Sequence, residues 1–191
     1  MENAESYASL RARRGPNALL VQAVGLLAVR NGRALDIGAG PLNDSLFLLR
    51  AGLSVEAVDS DPHTLSLASE LNDPRLTVVP ADIRDVRITP NAFSLVVAIH
   101  VLPFLPRADL LRTLPAIIDG LSEGGILCCT FLGPDDSWAQ HRPRMTFLSR
   151  SEVSGLLSGL QPIVFAERKF QGVNAKGEPK RWHVFRGILR K

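Results

Sequence analysis

At 191 residues, with 46% apolar, 21% charged and 6% aromatic residues and a net charge of +3, the chain has the composition of one globular domain with a sizeable core. That excludes a disordered tail, a collagen-like repeat and a disulfide-stapled miniprotein. The charge is unevenly spread: residues 1–33 hold five Arg against two Glu, residues 161–191 hold eight basic against two acidic side chains, and the stretch between holds nine against fifteen.

In chain order, Met1 to Arg14 is polar and charged, without the apolar stretch of a secretory signal, and no later apolar run reaches the roughly 18 residues of a membrane span. A soluble, cytoplasmic protein with no membrane partner is expected. Asn17 to Val29 carries apolar residues at helical spacing, entered through Gly15–Pro16. Arg33 to Ile37 is a short strand running into Gly38–Ala39–Gly40, and Asn43 to Arg50 a helix capped by Asn43 or Asp44. The alternation continues with a strand over 53–58, a helix over 62–71 behind Asp61, a strand over 76–79 and an uninterrupted apolar strand from Phe93 to Ile99. Arg107 to Asp119 is helical, 120–125 a turn region and 126–132 a further buried strand. Cys128 and Cys129 lie within it, on opposite faces of an extended chain, as reduced core residues. After a short helix behind Ser149, strands over 163–170 and 181–189 flank a polar turn and form an antiparallel hairpin. The pattern is α/β: a mostly parallel sheet with helices on both faces and a hairpin at its end.

In such sheets ligands bind beyond the carboxyl ends of the strands, where this sequence places its unusual residues. Gly38 and Gly40 permit a tight turn and close approach of a ligand to backbone. A dinucleotide fingerprint would need a third Gly where Asn43 stands, and Asp36 would repel phosphates there; it suits a cationic ligand. Asp59, ending the second strand, can accept hydrogen bonds from both hydroxyls of a ribose. Asp82, with Ile83 beside it, suits the amine and ring face of an adenine. These three acids together describe S-adenosylmethionine better than a nicotinamide dinucleotide.

The ordered runs Ala34-Leu-Asp-Ile-Gly-Ala-Gly40, Val55-Glu-Ala-Val-Asp59, Ala81-Asp82, Phe93-Ser-Leu-Val-Val97 and Leu121-Ser-Glu-Gly-Gly-Ile-Leu127 resemble those of class I S-adenosylmethionine-dependent methyltransferases. The resemblance spans about residues 17–132. It implies a Rossmann-like, seven-stranded, mostly parallel sheet and assigns Asp36, Gly38, Ala39 and Gly40 to the methionine part of the cofactor, Asp59 to the ribose, Ser60 to a place beside the adenine, and Asp82 and Ile83 to the adenine itself. His100, in the segment after the fourth strand, would face both cofactor and acceptor. Leu42 stands where the family often has another Gly. The small layout, Asn43–Asp44–Ser45 and the tail with Trp182–His183 look most like the tellurite-resistance type and related small-molecule methyltransferases. One domain over 1–191 is expected: a cap or helix over 1–30, a cofactor core over 33–132, and an acceptor-side loop and hairpin over 133–191.

The resulting expectation is methyl transfer from S-adenosylmethionine to a small-molecule acceptor, leaving S-adenosylhomocysteine, with no metal. Catalysis would come mainly from alignment, with a base only if the acceptor must lose a proton. His100 is the first candidate base and His183 the second. A structural histidine bonding to a loop carbonyl is the alternative for His100, and a side chain that faces solvent the alternative for His183. Tyr7 is a candidate lid residue or part of a terminus, His141 a candidate lid residue and His63 a solvated one. Asp135–Asp136 either cap a turn or contact the acceptor. The segment Ile99-His-Val-Leu-Pro-Phe104 lacks the Asn/Asp-Pro-Pro-aromatic pattern of enzymes that methylate amide or base nitrogens. Alternatives are a noncatalytic S-adenosylmethionine-binding or assembly domain, a nicotinamide oxidoreductase and, because of the basic ends, a nucleic-acid methyltransferase. If Arg11, Arg13, Arg14, Lys180 and Arg181 converge on the pocket, the acceptor is anionic.

Overall fold

The alternating pattern of the sequence folds into one seven-stranded sheet in the order β3-β2-β1-β4-β5-β7-β6, in a computed structural model that describes residues 15–29 and 31–191. In chain order the elements are α1 (Ala18–Gly25), β1 (Arg33–Ile37), α2 (Asn43–Arg50), β2 (Ser54–Asp59), α3 (Pro62–Leu71), β3 (Leu76–Pro80), β4 (Phe93–Ala98), α4 (Arg107–Asp119), β5 (Leu121–Leu132), α5 (Arg150–Leu156), β6 (Gln161–Val173) and β7 (Pro179–Arg190). Short 3-10 turns occupy Ile83–Asp85, Leu102–Phe104 and Ser137–Gln140. Strands β1 to β5 pair in parallel, whereas β7 runs antiparallel between β5 and β6. The sheet order reverses between β1 and β4, which leaves a crevice at the carboxyl ends of these strands.

Strand alternation divides the core into two layers. Leu35, Ile37, Val96, Cys129, Phe131 and Phe185 point to one face, against Leu110, Leu114 and Ile117 of α4 and Val153 of α5. Ala34, Leu95, Val97, Cys128 and Ile188 point to the other, against Leu19, Leu20 and Ala23 of α1 and Leu48 and Leu49 of α2. The adjacent thiols are free and on opposite sides, and burial pushes both up.

Local chemistry sets most boundaries. Asn17 caps α1 by accepting from the Leu19 N–H, Asp61 caps α3 ahead of Pro62, and Ser149 with Glu152 makes a reciprocal capping box on α5. Helix α1 stops at Gly25, short of the expected Val29, and three further details differ from the sequence expectation. Helix α2 is preceded by Leu42 in the left-handed region (φ 61), without a side-chain cap, so neither Asn43 nor Asp44 is its cap. Strand β5 begins at Leu121, five residues early, because a register shift absorbs the Gly124–Gly125 turn: Phe93 pairs with Leu121 and Leu95 with Ile126. The hairpin strands run deeper into the polar turn, because Val173 still pairs with Pro179 and Asn174 closes the remaining loop by accepting from the N–H groups of Lys176 and Glu178.

Candidate functional site

Three cavities meet along the carboxyl edge of the sheet. The first, about 380 Å3, lies beyond β2 and β3 and is lined by Asp59, Ser60, Asp82, Ile83, Val101 and Gly38 among others. The second, about 120 Å3, lies over the β1–α2 loop and includes Asp36, Gly38, Ala39, Asn43 and His100. Gly38 belongs to both. The third, about 630 Å3, lies between the β4 end and the hairpin. It shares His100 and Asn17 with the second and Phe104 with the first.

The β1–α2 loop is shaped by backbone. Gly38 adopts φ 73 and Gly40 φ 48, and the Gly38 and Ala39 N–H groups donate to the Val58 carbonyl. A Cβ at Gly38 would meet the Val101 side chain at 2.8 Å, so glycine is required there by both conformation and space. The Asp59 carboxylate braces this loop from β2, accepting from the Gly40 N–H at 2.7 Å and the Asp61 N–H at 2.8 Å. Each carboxylate oxygen has a second lone pair, so Asp59 retains acceptor capacity toward the cavity.

Asp36 is 3% exposed and accepts from the Ser45 hydroxyl at 2.6 Å. Burial pushes its carboxyl up to about 7, against the opposing effect of the Ser45 bond. A cation placed beside it in the small cavity would favour the charged form. Asp82 caps the Ile83–Asp85 turn and is gripped by Arg84 at 2.7 and 2.9 Å, with Arg84 also reaching Asp109. The guanidinium holds Asp82 below the usual carboxylate range.

His100 has φ 57, a left-handed conformation uncommon outside glycine. Its N–H donates to Thr130 Oγ1 at 2.8 Å, and its ring lies 6.0 Å from that of Trp182. The histidine thus stands at the junction of the second and third cavities.

His183 is placed elsewhere. In β7, Trp182, Val184 and Arg186 line the large cavity; His183, one residue out of phase, faces the opposite side of the sheet. The residue is 3% exposed, and its ring accepts from the Asp135 N–H at Nδ1 (3.1 Å) and donates from Nε2 to Glu167 (2.9 Å). Its two nitrogens are committed to holding the loop after β5 and the neighbouring strand, which corrects its expected place at the pocket. His141 is exposed at the end of the Ser137–Gln140 turn and lines none of the three cavities. From the same loop, Arg144 lines the first cavity and Trp138 the third. His63 opens α3, its N–H donating to Asp61.

Asp136 proves to be a capping residue, accepting from the Trp138 N–H at 3.0 Å, and it is also the buried partner of Lys180. Asp135 pairs with Lys169 at 2.7 Å. Tyr7, Arg11, Arg13 and Arg14 lie outside the described residues. Of the expected basic cluster, Lys180 is locked to Asp136 and Arg181 donates to the Asp135 carbonyl.

The walls of the large cavity were missed in the sequence. Trp138 and Trp182 lie 5.8 Å apart by ring centroids, Phe170 stacks on Trp182 at 6.3 Å with planes 17° apart, and Phe104 meets Trp138 at 6.1 Å. Lys180 Nζ sits 3.9 Å from the Trp138 ring and 4.3 Å from the Trp182 ring, bracing both. Thr130, Arg168 and Arg186 add polar groups. The only signal was the period of two from Trp182 along β7, which marks one face without saying what it faces. Among the described residues, no group of three or more His, Cys, Asp or Glu is placed to hold a metal ion, and no helix is long and apolar enough to cross a membrane.

Comparison with known proteins fits this geometry. Residues 34–125 match the family model of a methyltransferase domain. A carboxy-S-adenosyl-L-methionine synthase of Psychrobacter arcticus is 32% identical over 129 residues, 60% of this chain and 48% of that protein, so the chain spans about half the length of this curated relative. Among solved structures, TehB from Haemophilus influenzae superposes with a TM-score of 0.78 at 17% identity over 92% of this chain and 62% of its own. The 1,6-didemethyltoxoflavin-N1-methyltransferase of Burkholderia thailandensis, solved with bound 1,6-didemethyltoxoflavin and S-adenosylhomocysteine, has a TM-score of 0.68 at 20% identity over 91% of this chain and 78% of its own.

Proposed function

We propose that the chain, whose residues 34–125 match the family model of a methyltransferase domain, is a class I S-adenosylmethionine-dependent methyltransferase that methylates a small molecule seated in the 630 Å3 cavity. The observation that carries this reading is the junction at His100, where a cavity large enough for a small acceptor opens beside the groove edged by Asp36, Asp59 and Asp82. A noncatalytic binding domain would not require that second chamber.

The residues of the groove fit the cofactor. Asp59 offers acceptor lone pairs for the ribose hydroxyls, Asp82 and Ile83 an acceptor and an apolar face for the adenine, and Asp36 a counter-charge for the methionine ammonium. The bare backbone of Gly38 joins the two cavities and leaves room for the chain of the ligand. When bound, S-adenosylmethionine supplies a methyl group on a sulfonium, which leaves as S-adenosylhomocysteine once the acceptor's nucleophile has taken the methyl. The protein's part is alignment: the aromatic wall excludes water and orients the acceptor. His100 is positioned to accept a proton if the nucleophile carries one. His183, with both nitrogens bonded on the far face, supports the wall through the loop after β5.

Calorimetry tests the reading. S-adenosylhomocysteine should bind, and Asp59→Ala should weaken it about 10- to 100-fold, the loss of about 1.5–3 kcal/mol for a hydrogen bond to a charged group. Absence of binding by the native protein overturns it. The mass of the nucleoside product separates transfer to an acceptor, which leaves S-adenosylhomocysteine, from the reaction for which the Psychrobacter relative is named, which leaves a carboxylated sulfonium.

A further inference from the structure

We infer that the acceptor is a planar aromatic carboxylate, its ring held by Trp138, Trp182 and Phe170 and its anionic end by Arg168 and Arg186. The inference rests on the methyltransferase reading and names the acceptor class for the same cavity.

Charge carries the first part. The described lining of the cavity includes Arg168, Lys169 and Arg186 and contains no Asp or Glu. Lys169 is neutralised by Asp135 at 2.7 Å. Among the described residues, neither arginine is paired with a carboxylate. Arg186 is half-buried in the sheet, where an uncompensated cation is unfavourable, so an anion brought by the ligand would improve the site. The planar guanidinium fork matches a carboxylate bidentately.

Register supplies the second part. Arg186 pairs with Thr130 across β5 and β7, and Thr130 holds the His100 N–H. The Arg186 charge therefore stands on the rung next to the cofactor junction. Arg168 pairs with Val184 across β7 and β6, which makes it the diagonal neighbour of Arg186 on the same face, with side-chain roots about 7 Å apart. Two long side chains so placed can grip one carboxylate together.

The aromatic wall supplies the third. Trp182 is stacked by Phe170 on one side and braced by Lys180; that ammonium is itself fixed by buried Asp136. A wall held in place before the ligand arrives loses little freedom on binding and favours a flat, π-rich partner.

The sequence contains two tryptophans, and both are in this wall, so intrinsic fluorescence excited at the red edge reports on the cavity alone. The protein saturated with S-adenosylhomocysteine is titrated with benzoate and phenylacetate, with their neutral amides and with phenethylamine. The carboxylates should change the fluorescence saturably, the amides should bind at least tenfold more weakly, and the amine should not bind. Arg186→Met and Arg168→Met should each bring carboxylate affinity about tenfold down toward that of the amide, with Arg186→Lys intermediate and S-adenosylhomocysteine affinity by calorimetry unchanged. Should Arg186→Met fail to fold, Arg168→Met, on the exposed rim, carries the same expectation. Equal binding of amide and carboxylate, preference for the amine, or no response to any carboxylate while S-adenosylhomocysteine binds overturns the acceptor class and leaves the methyltransferase reading standing. Failure of the native protein to bind S-adenosylhomocysteine overturns the reading beneath it.

Discussion

At the scale of single residues, Asp36 and Leu42 show how the site is built against local preference. The Asp36 carboxyl titrates near 3.8 in an open chain and near 7 in the folded one, burial being the main cause. Between those values the native state keeps a proton that the unfolded state has lost, so this group makes stability fall as pH rises from about 4 to about 7 and adds no further change above. Asp36→Asn should remove that decline, read from urea midpoints at pH 5 and pH 8. On the proposed reading, a ligand ammonium beside Asp36 favours its charged form. Affinity for S-adenosylmethionine should therefore rise with pH up to about 7, by as much as tenfold per unit, and become flatter in Asp36→Asn; identical pH profiles for the two proteins would take Asp36 out of ligand contact. Leu42 holds φ 61 with its side chain fully buried. Left-handed strain costs about 1–2 kcal/mol, whereas truncating a buried leucine costs about 2–5 kcal/mol. Packing wins, so Leu42→Gly should lower unfolding stability by about 1–3 kcal/mol in a urea titration although it restores the residue favoured by the backbone. Asp36 was legible in the sequence because a lone acid in an apolar strand is conspicuous. The conformation of Leu42 was not, because the strain is sustained by burial in the core cluster that also holds Leu19 and Leu48, which no local pattern encodes.

At the scale of elements, the cavity wall depends on one buried ion pair. Lys180 and Asp136 are 1% and 0% exposed in their side chains, and burial holds the ammonium below the ordinary lysine range. Asp136 also caps the Ser137–Gln140 turn and accepts from the His183 N–H, so the pair ties the loop after β5 to β7. Removing one partner leaves a buried charge. Lys180→Met should cost about 3–5 kcal/mol, and the double variant Lys180→Met/Asp136→Asn should cost less than Lys180→Met alone, as urea midpoints will show. Additive losses would mean that the pair is not coupled. The helices and strands themselves were largely legible, since periodicity, Asn17, Asp61 and Ser149 are local signals. The early start of β5 was not, because it follows from pairing with Phe93 across the sheet.

At the scale of the whole molecule, the uneven charge has a structural answer. Of the basic residues at the carboxyl end, Arg190 donates to the carbonyls of Gly124 and Leu26, and Lys191 to Asn91 and to the carbonyls of Asp119 and Leu121. Lys169, Lys180 and Arg181 are held by the loop after β5, and Arg168 and Arg186 line the cavity. Among the described residues, most of this carboxyl-terminal charge is distributed among structural duties and one site and is not gathered into a phosphate-binding face. Duplex DNA should accordingly show no mobility shift with about 10 µM protein at 50 mM salt; a shift that weakens steeply with salt would restore the nucleic-acid alternative.

The sequence by itself determined the α/β alternation, the edge on which the glycines and the acids Asp36, Asp59 and Asp82 gather, and the opposite facing of Cys128 and Cys129. These follow from periodicity and strand ends, which are properties of neighbouring residues. The tertiary structure alone decided that β7 enters between β5 and β6, and with it that Trp182, Val184 and Arg186 face the cavity while His183 faces away. Alternation tells a strand that it has two faces, but only long-range pairing assigns one of them to the ligand.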